Sequence, residues 1–213
     1  MSSRLRRAAS TNPDPDDRVN PIADALRASI AAKQKLLQDE EMLRTVDEVA
    51  RQMVQSFKAG GKVLFCGNGG SAADAQHLAA ELSGRYYFDR PPLHAEALHA
   101  NTSYLTAVAN DYGYDEVFSR AVQAQGRKGD VLIGISTSGN SVNVVKALTA
   151  AKELEMVTVG MTGESGGKMK ALCRFTLRAP SSDTPRIQEC HITLGHILCE
   201  IVERELFAQY RRA

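Results

Sequence analysis

Net charge, cysteine and long apolar runs are all scarce in this 213-residue sequence, and each scarcity excludes something. Lys and Arg number 26 against 25 Asp and Glu, for a formal charge of +1, so no electrostatic footprint for duplex nucleic acid or an anionic membrane is present. No apolar run approaches the roughly 18 residues needed to span a bilayer. The first ten residues, MSSRLRRAAS, are basic but lead into no apolar segment, so a secretory signal is not expected. The four cysteines, Cys66, Cys173, Cys190 and Cys199, lie in apolar segments without CxxC spacing and are too few for a disulfide scaffold. A cytosolic protein of a reducing compartment is the expectation. What the chain does have is 43% hydrophobic residues, enough for one large core.

Residues 1–20 read as a disordered or extended tail, because TNPDPDDRVNP has too little apolar content to offset the entropy of ordering. Residues 21–213 read as one domain with an N-terminal helical extension over about 21–58. There Ile22, Ala25, Leu26, Ile30, Leu36, Leu37, Met42, Leu43, Val46, Val49, Ala50, Met53, Val54 and Phe57 recur at spacings of three and four, which predicts two helices broken near Gln38–Glu41. The first helix has an apolar stripe but no strand to cover, so a partner subunit is expected against it. Beyond Gly60, short apolar runs at 62–67, 95–100, 130–136, 156–161 and 174–179 alternate with helical segments at 71–83, 102–110, 115–125, 140–153, 166–172 and 184–208. Such alternation predicts a doubly wound α/β fold with a parallel five-stranded sheet, and continuous runs such as VLIGIS suit strands buried on both faces.

Ligands of such sheets sit beyond the carboxyl ends of the strands, and two strand-to-helix junctions here have unusual chemistry. FCGNGGS (Phe65–Ser71) offers glycines that let bare N–H groups approach a ligand, with Ser71 where a helix N-cap belongs. GISTSGNS (Gly134–Ser141) sets Ser136, Thr137, Ser138 and Ser141 around a helix start whose dipole favours an anion. One such loop could be turn chemistry alone; two in one sheet point to a phosphate. Neither has the lysine of a P-loop, and the first lacks the full G-x-G-x-x-G form, so a small phosphorylated metabolite is favoured over a nucleotide.

Two helices bear a metal-like set. His77 and Glu81, four residues apart, share a helical face with Asp74, and an imidazole–carboxylate pair of this kind is half of a divalent-metal site. In the last helix, His196 lies within the apolar HILCEIV, where an unpartnered ring is costly. Gln188, eight residues earlier, is rotated from it by only about 80°. His191 falls on another side and reads as a structural or interface residue, and Glu189 as solvated or ion-paired.

The segments CGNGGSAADAQHLAAEL, ANDYGYDEVFSR, GDVLIGISTSGNSVNVVKA and TPRIQECHITLGHILCE together resemble the sugar isomerase (SIS) domain family, and within it the phosphoheptose isomerases, from about residue 22 to the C-terminus. A generic SIS domain shares the STSGNS loop but not the set His77, Glu81, Gln188 and His196. The resemblance implies a cytoplasmic homotetramer converting sedoheptulose 7-phosphate to D-glycero-D-manno-heptose 7-phosphate, the first step toward the activated heptoses of lipopolysaccharide core, capsule or related glycans. It also implies one zinc per subunit on His77, Glu81, Gln188 and His196. Substrate contacts would come from Asn68, Gly69, Gly70, Ser71, Glu81, Asn110, Asp111, Ser136, Thr137, Ser138, Ser141 and Gln188, with Glu81 and His196 as the catalytic proton-transfer pair. The sequence departs from some members in having Pro185, where they have an acidic residue before RIQE, with Asp183 two residues upstream. The alternative is a non-catalytic regulator of the same family that binds the bacterial replication initiator and resembles a form lacking the acid–base residues at positions 81 and 196.

Overall fold

The computed structural model describes residues 20–210, so most of the expected tail lies outside the described residues. Asn20 caps the first helix, α1 (Pro21–Gln38), its Oδ1 accepting from the Ile22 and Ala23 N–H groups, with Pro21 in the first turn where no N–H is needed. Asp39 ends α1 and caps α2 (Glu40–Lys58) by accepting from the Met42 N–H at 2.9 Å, which is why the break falls there. Five strands follow: β1 (Val63–Gly67), β2 (Ala95–Ala97), β3 (Val131–Ile135), β4 (Val157–Thr162) and β5 (Phe175–Arg178). Between and after them come α3 (Gly70–Ser83), α4 (Thr102–Tyr112), α5 (Val117–Gln125), α6 (Val142–Glu153), α7 (Met169–Leu172) and α8 (Thr184–Phe207).

All strand pairs are parallel, in the order β2-β1-β3-β4-β5, with Val63 opposite both Ala95 and Val131, and Ile133 opposite Val159. Successive side chains leave a strand on opposite faces. Val63, Phe65, Val131 and Ile133 therefore join the core made with α2, α3 and α8, while Leu64, Cys66 and Leu132 join the one made with α5 and α6. Helices on both faces make the sheet doubly wound, as the continuous apolar runs predict. Two expected segments are shortened most: the run 95–100 is a strand only to Ala97, and 166–172 is helical only from Met169, where positive φ angles at Gly166 and Gly167 break the helix.

The first helix, α1, buries only Ala32 and Leu36. Ile22, Leu26, Ile30 and Leu37 are 72, 60, 55 and 72% exposed, so its apolar stripe is uncovered by its own chain. Arg186 anchors α1 to the start of α8: its Nη1 donates to the Ala25 carbonyl, and its Nη2 stands 2.8 Å from Glu189. No helix among the described residues is long and apolar enough to cross a membrane.

Candidate functional site

The strand order reverses between β1 and β3, where α3 departs to one face of the sheet and α6 to the other. Both glycine- and serine-rich loops leave the carboxyl ends of these strands, at the crevice where such folds bind ligands. Here α3 begins at Gly70 rather than after a capping Ser71: Gly69 occupies the N-cap with φ 54°, and no side chain caps the helix. The positive φ favours glycine, and in place of a side-chain cap the Ser71 and Ala72 N–H groups donate to the carbonyls of Asn68 and Gly69 at 3.0 Å. Ser71 is buried inside the first turn.

Across the crevice, Ser141 stands at the N-cap of α6 without bonding its first turn. Its Oγ instead lies 2.9 Å from the Oγ of Ser136, with the Oγ of Ser138 3.4 Å from Ser136 on the other side. A cleft of about 270 Å³ opens beside them, lined by Thr137, Ser138, Asn140, Glu164, Ser182 and Ile187 among others. Gly139 has φ 65°, and a Cβ there would stand 2.3 Å from the Gly166 carbonyl oxygen, so the serine loop is seated backbone-to-backbone on the loop after β4.

The helices α3 and α8 lie side by side in matched register. At their starts the Gln188 amide packs over Gly70, where a Cβ would meet its Nε2 at 2.6 Å. Seven and eight residues on, a rise of about 10.5 and 12 Å, His77 and His196 meet with their Nε2 atoms 2.9 Å apart. Beside the two histidines the helices approach over Gly195, where a Cβ would lie 2.5 Å from Leu78 Cδ1 and 3.0 Å from its Cγ. Leu78 is fully buried and has little room to retreat. Gly195→Ala is therefore expected to cost about 1–3 kcal/mol and to spread His77 from His196; urea unfolding and the metal affinity of the variant check both.

Glu81 completes the cluster. Its Oε1 is 3.4 Å from His77 Nε2, and one ligand atom from each of His77, Glu81 and His196 lies within 4.8 Å of the others. Two imidazole nitrogens and a carboxylate on rigid helices form a donor set that fits a divalent first-row cation. Two facing ring nitrogens so close must otherwise share a proton. Asp74 is one turn before His77 with its Oδ2 buried and unpartnered. Burial pushes its carboxyl above the usual range against the pull of His77 and His196. Tyr86 stacks near the cluster, its ring 5.9 Å from that of His196.

The other expected site residues fall into separate groups. Asn68 lies in the glycine loop, its amide paired with that of Asn143. Asn110 and Asp111, at the exposed end of α4, bond each other at 2.9 Å; that end reaches the loop through Tyr114, whose hydroxyl is 3.4 Å from Asn68 Oδ1. Asp183 occupies the N-cap position of α8 without a side-chain capping bond, exposed and 3.9 Å from Arg186. His191 is fully buried with Nε2 3.0 Å from the Thr162 carbonyl oxygen, a structural histidine. Asn143 and Tyr114 were not singled out by sequence: an Asn in the first turn of an apolar helix and a Tyr after a glycine are ordinary until their partner is known.

Comparison with known proteins adds an independent observation. Residues 25–163 match the model of the SIS domain. The chain is 52% identical over 186 residues to the phosphoheptose isomerase of Aneurinibacillus thermoaerophilus, covering 87% of this chain and 94% of that protein. It is 54% identical over 190 residues to the phosphoheptose isomerase of Burkholderia pseudomallei, with 89% and 94% covered. The solved phosphoheptose isomerase of Neisseria gonorrhoeae superposes with a TM-score of 0.80 at 46% identity, over 86% of this chain and 97% of that one.

Proposed function

The chain belongs to the SIS domain family and, within it, to the phosphoheptose isomerases, and from that membership we propose that it interconverts sedoheptulose 7-phosphate and D-glycero-D-manno-heptose 7-phosphate. It is an aldose–ketose isomerase. The product would feed activated heptoses for lipopolysaccharide core, capsule or related glycans. The observation that carries the reading is the convergence of His77, Glu81 and His196 on the same pair of helices whose N-terminal end adjoins the glycine loop.

The reaction moves a proton between C1 and C2 through an enediol, and so needs a base at carbon, an acid at oxygen and a fixed substrate. The serine loop, with Ser136, Thr137, Ser138 and Ser141, takes the phosphate at the α6 N-terminus. Asn68, Gly69, Gly70 and Ser71 contact the phosphate and the sugar from the other loop, with Asn110 and Asp111 as further contacts. Glu81 carries the carbon-bound proton and His196 the oxygen-bound one. A carboxylate has two oxygens, so one can face the imidazoles while the other faces the carbon acid. His77, Glu81, His196 and Gln188 would hold one zinc ion, which when bound polarises the sugar oxygens. Gln188 enters this set from the family resemblance alone: here its amide packs over Gly70, about 12 Å of helical rise before His196.

The chain acts as a single SIS domain over 21–213, in the cytoplasm, as a homotetramer. The uncovered stripe of Ile22, Leu26, Ile30 and Leu37 supports the assembly, and a neighbouring subunit would complete each cleft. The test is incubation of zinc-loaded protein with sedoheptulose 7-phosphate in deuterated water. The expected result is the aldose heptose 7-phosphate, detected by NMR. A folded, metal-loaded tetramer that yields no aldose would return the chain to the reading as a binding protein.

A further inference from the structure

We propose that Asn143 is a positioning residue for phosphate recognition, its amide pairing with Asn68 holding the β1–α3 and β3–α6 loops at one fixed separation. The inference deepens the isomerase reading and rests on it for the sugar-phosphate assay, but phosphate binding tests it without catalysis.

The two amides bond reciprocally: Asn68 Nδ2 donates to Asn143 Oδ1 and Asn143 Nδ2 donates to Asn68 Oδ1, both at 2.9 Å. Their orientation is fixed by chemistry. The backbone N–H of Val144 donates to Asn143 Oδ1 at 2.9 Å, and an N–H can only donate, so that atom must be the oxygen. The orientation of Asn68 follows, and the Tyr114 hydroxyl lies 3.4 Å from its Oδ1. Both lone pairs of Asn143 Oδ1 are thereby taken. Asn143 is 4% exposed, at the first turn of α6 and directly behind the serine loop, whereas Asn68 is half-buried and leads into Gly69 and Gly70. The pair spans 75 positions of sequence and is a side-chain bridge between two loops that otherwise diverge to opposite faces of the sheet. A phosphate gripped from both sides is held only as well as the spacing between the grips, and neither partner can rotate without orphaning a polar group.

Asn143→Asp keeps the shape and removes one donor, setting an acceptor against Asn68 Oδ1 and a negative charge behind an anion site. Asn143→Leu keeps the size without charge. In both, the dissociation constant for inorganic phosphate, measured by titration calorimetry on the metal-loaded protein, is expected to rise by about tenfold or more. KM for the sugar phosphate should rise in parallel while kcat stays within about threefold. In the Asp variant alone, the gap to the unaltered protein at equal pH should narrow in acid, because a protonated carboxyl restores the donor–acceptor pattern of the amide. Should either variant fail to fold by circular dichroism, Asn143→Ser reads the same constants. Phosphate affinity within about twofold of the unaltered protein in the Leu or Ser variant, or a loss confined to kcat, would overturn the proposal. Unaltered protein that binds no phosphate would overturn it too, by removing the anion site; phosphate binding without isomerisation would sink only the isomerase reading.

Discussion

Glu81→Gln is expected to lower turnover of the sugar phosphate by about 10²–10⁴-fold, the usual contribution of a positioned general base, while the protein stays folded. The amide keeps the volume and one oxygen of the carboxylate but cannot accept a proton from carbon. His77 and His196, whose Nε2 atoms are 2.9 Å apart, remain to hold a cation, so metal content measured by mass spectrometry should fall less than activity. Loss of deuterium exchange at the carbon in the same variant ties the defect to proton transfer. Turnover near that of the unaltered enzyme would remove Glu81 from the reaction, and loss of metal and activity together would make it a ligand only.

The largest expected effect on stability is at Glu203. This carboxylate, 1% exposed, accepts from the backbone N–H groups of Tyr86, Tyr87 and Phe88 at 2.9, 2.6 and 3.2 Å and from Arg90 Nε at 2.9 Å. The Arg90 guanidinium spends its remaining donors on the carbonyls of Leu82, Gly84, Pro91 and Glu81. Removing one member of such a buried pair typically costs about 3–5 kcal/mol. Glu203→Gln should approach that range in urea unfolding at neutral pH, because it strands the Arg90 charge and turns an amide donor toward other donors. Replacing both residues by leucine, which often rescues a buried ion pair, should not do so here: three backbone N–H groups and several carbonyls would be orphaned. Burial pushes the Glu203 carboxyl up, but the N–H groups of Tyr87 and Tyr86, Arg90 and the Phe88 N–H outweigh it and hold the group below the ordinary range. A depressed folded-state value gives stability that is present above the unfolded value and is lost as pH falls through the folded one. The gap between the unaltered and Gln proteins should therefore narrow in acid. The latch also fixes Tyr86 beside His196, so the variant's activity should fall before it unfolds globally.

What the sequence made legible follows from range. Parallel strands buried on both faces leave continuous apolar runs, and capping residues mark helix ends within three positions, so the sheet, the Asp39 break and both loops could be read locally. The pairing of His77 with Glu81 is also local, four residues along one helix. That His196 joins them needs the packing of α3 on α8, which only an apolar context around a polar ring hinted at. The Asn68–Asn143 and Arg90–Glu203 contacts join residues 75 and 113 positions apart. Each member alone looks like an ordinary helix or loop residue, so no local pattern distinguishes it. The cap expected at Ser71 falls instead on Gly69, two positions earlier, because Gly69 adopts a backbone that Ser cannot easily share.

The reversal of strand order between β1 and β3 has a consequence for how this scaffold can diversify. The anion seat is a by-product of chain routing: wherever two neighbouring strands send their helices opposite ways, a gap opens that backbone amides can line. Reactivity, in the function proposed above, rests by contrast on a few side chains of α3 and α8. Chassis and warhead are therefore separable, and exchanging the residues at 77, 81 and 196 should retool the chemistry while the grip on the phosphate tail survives.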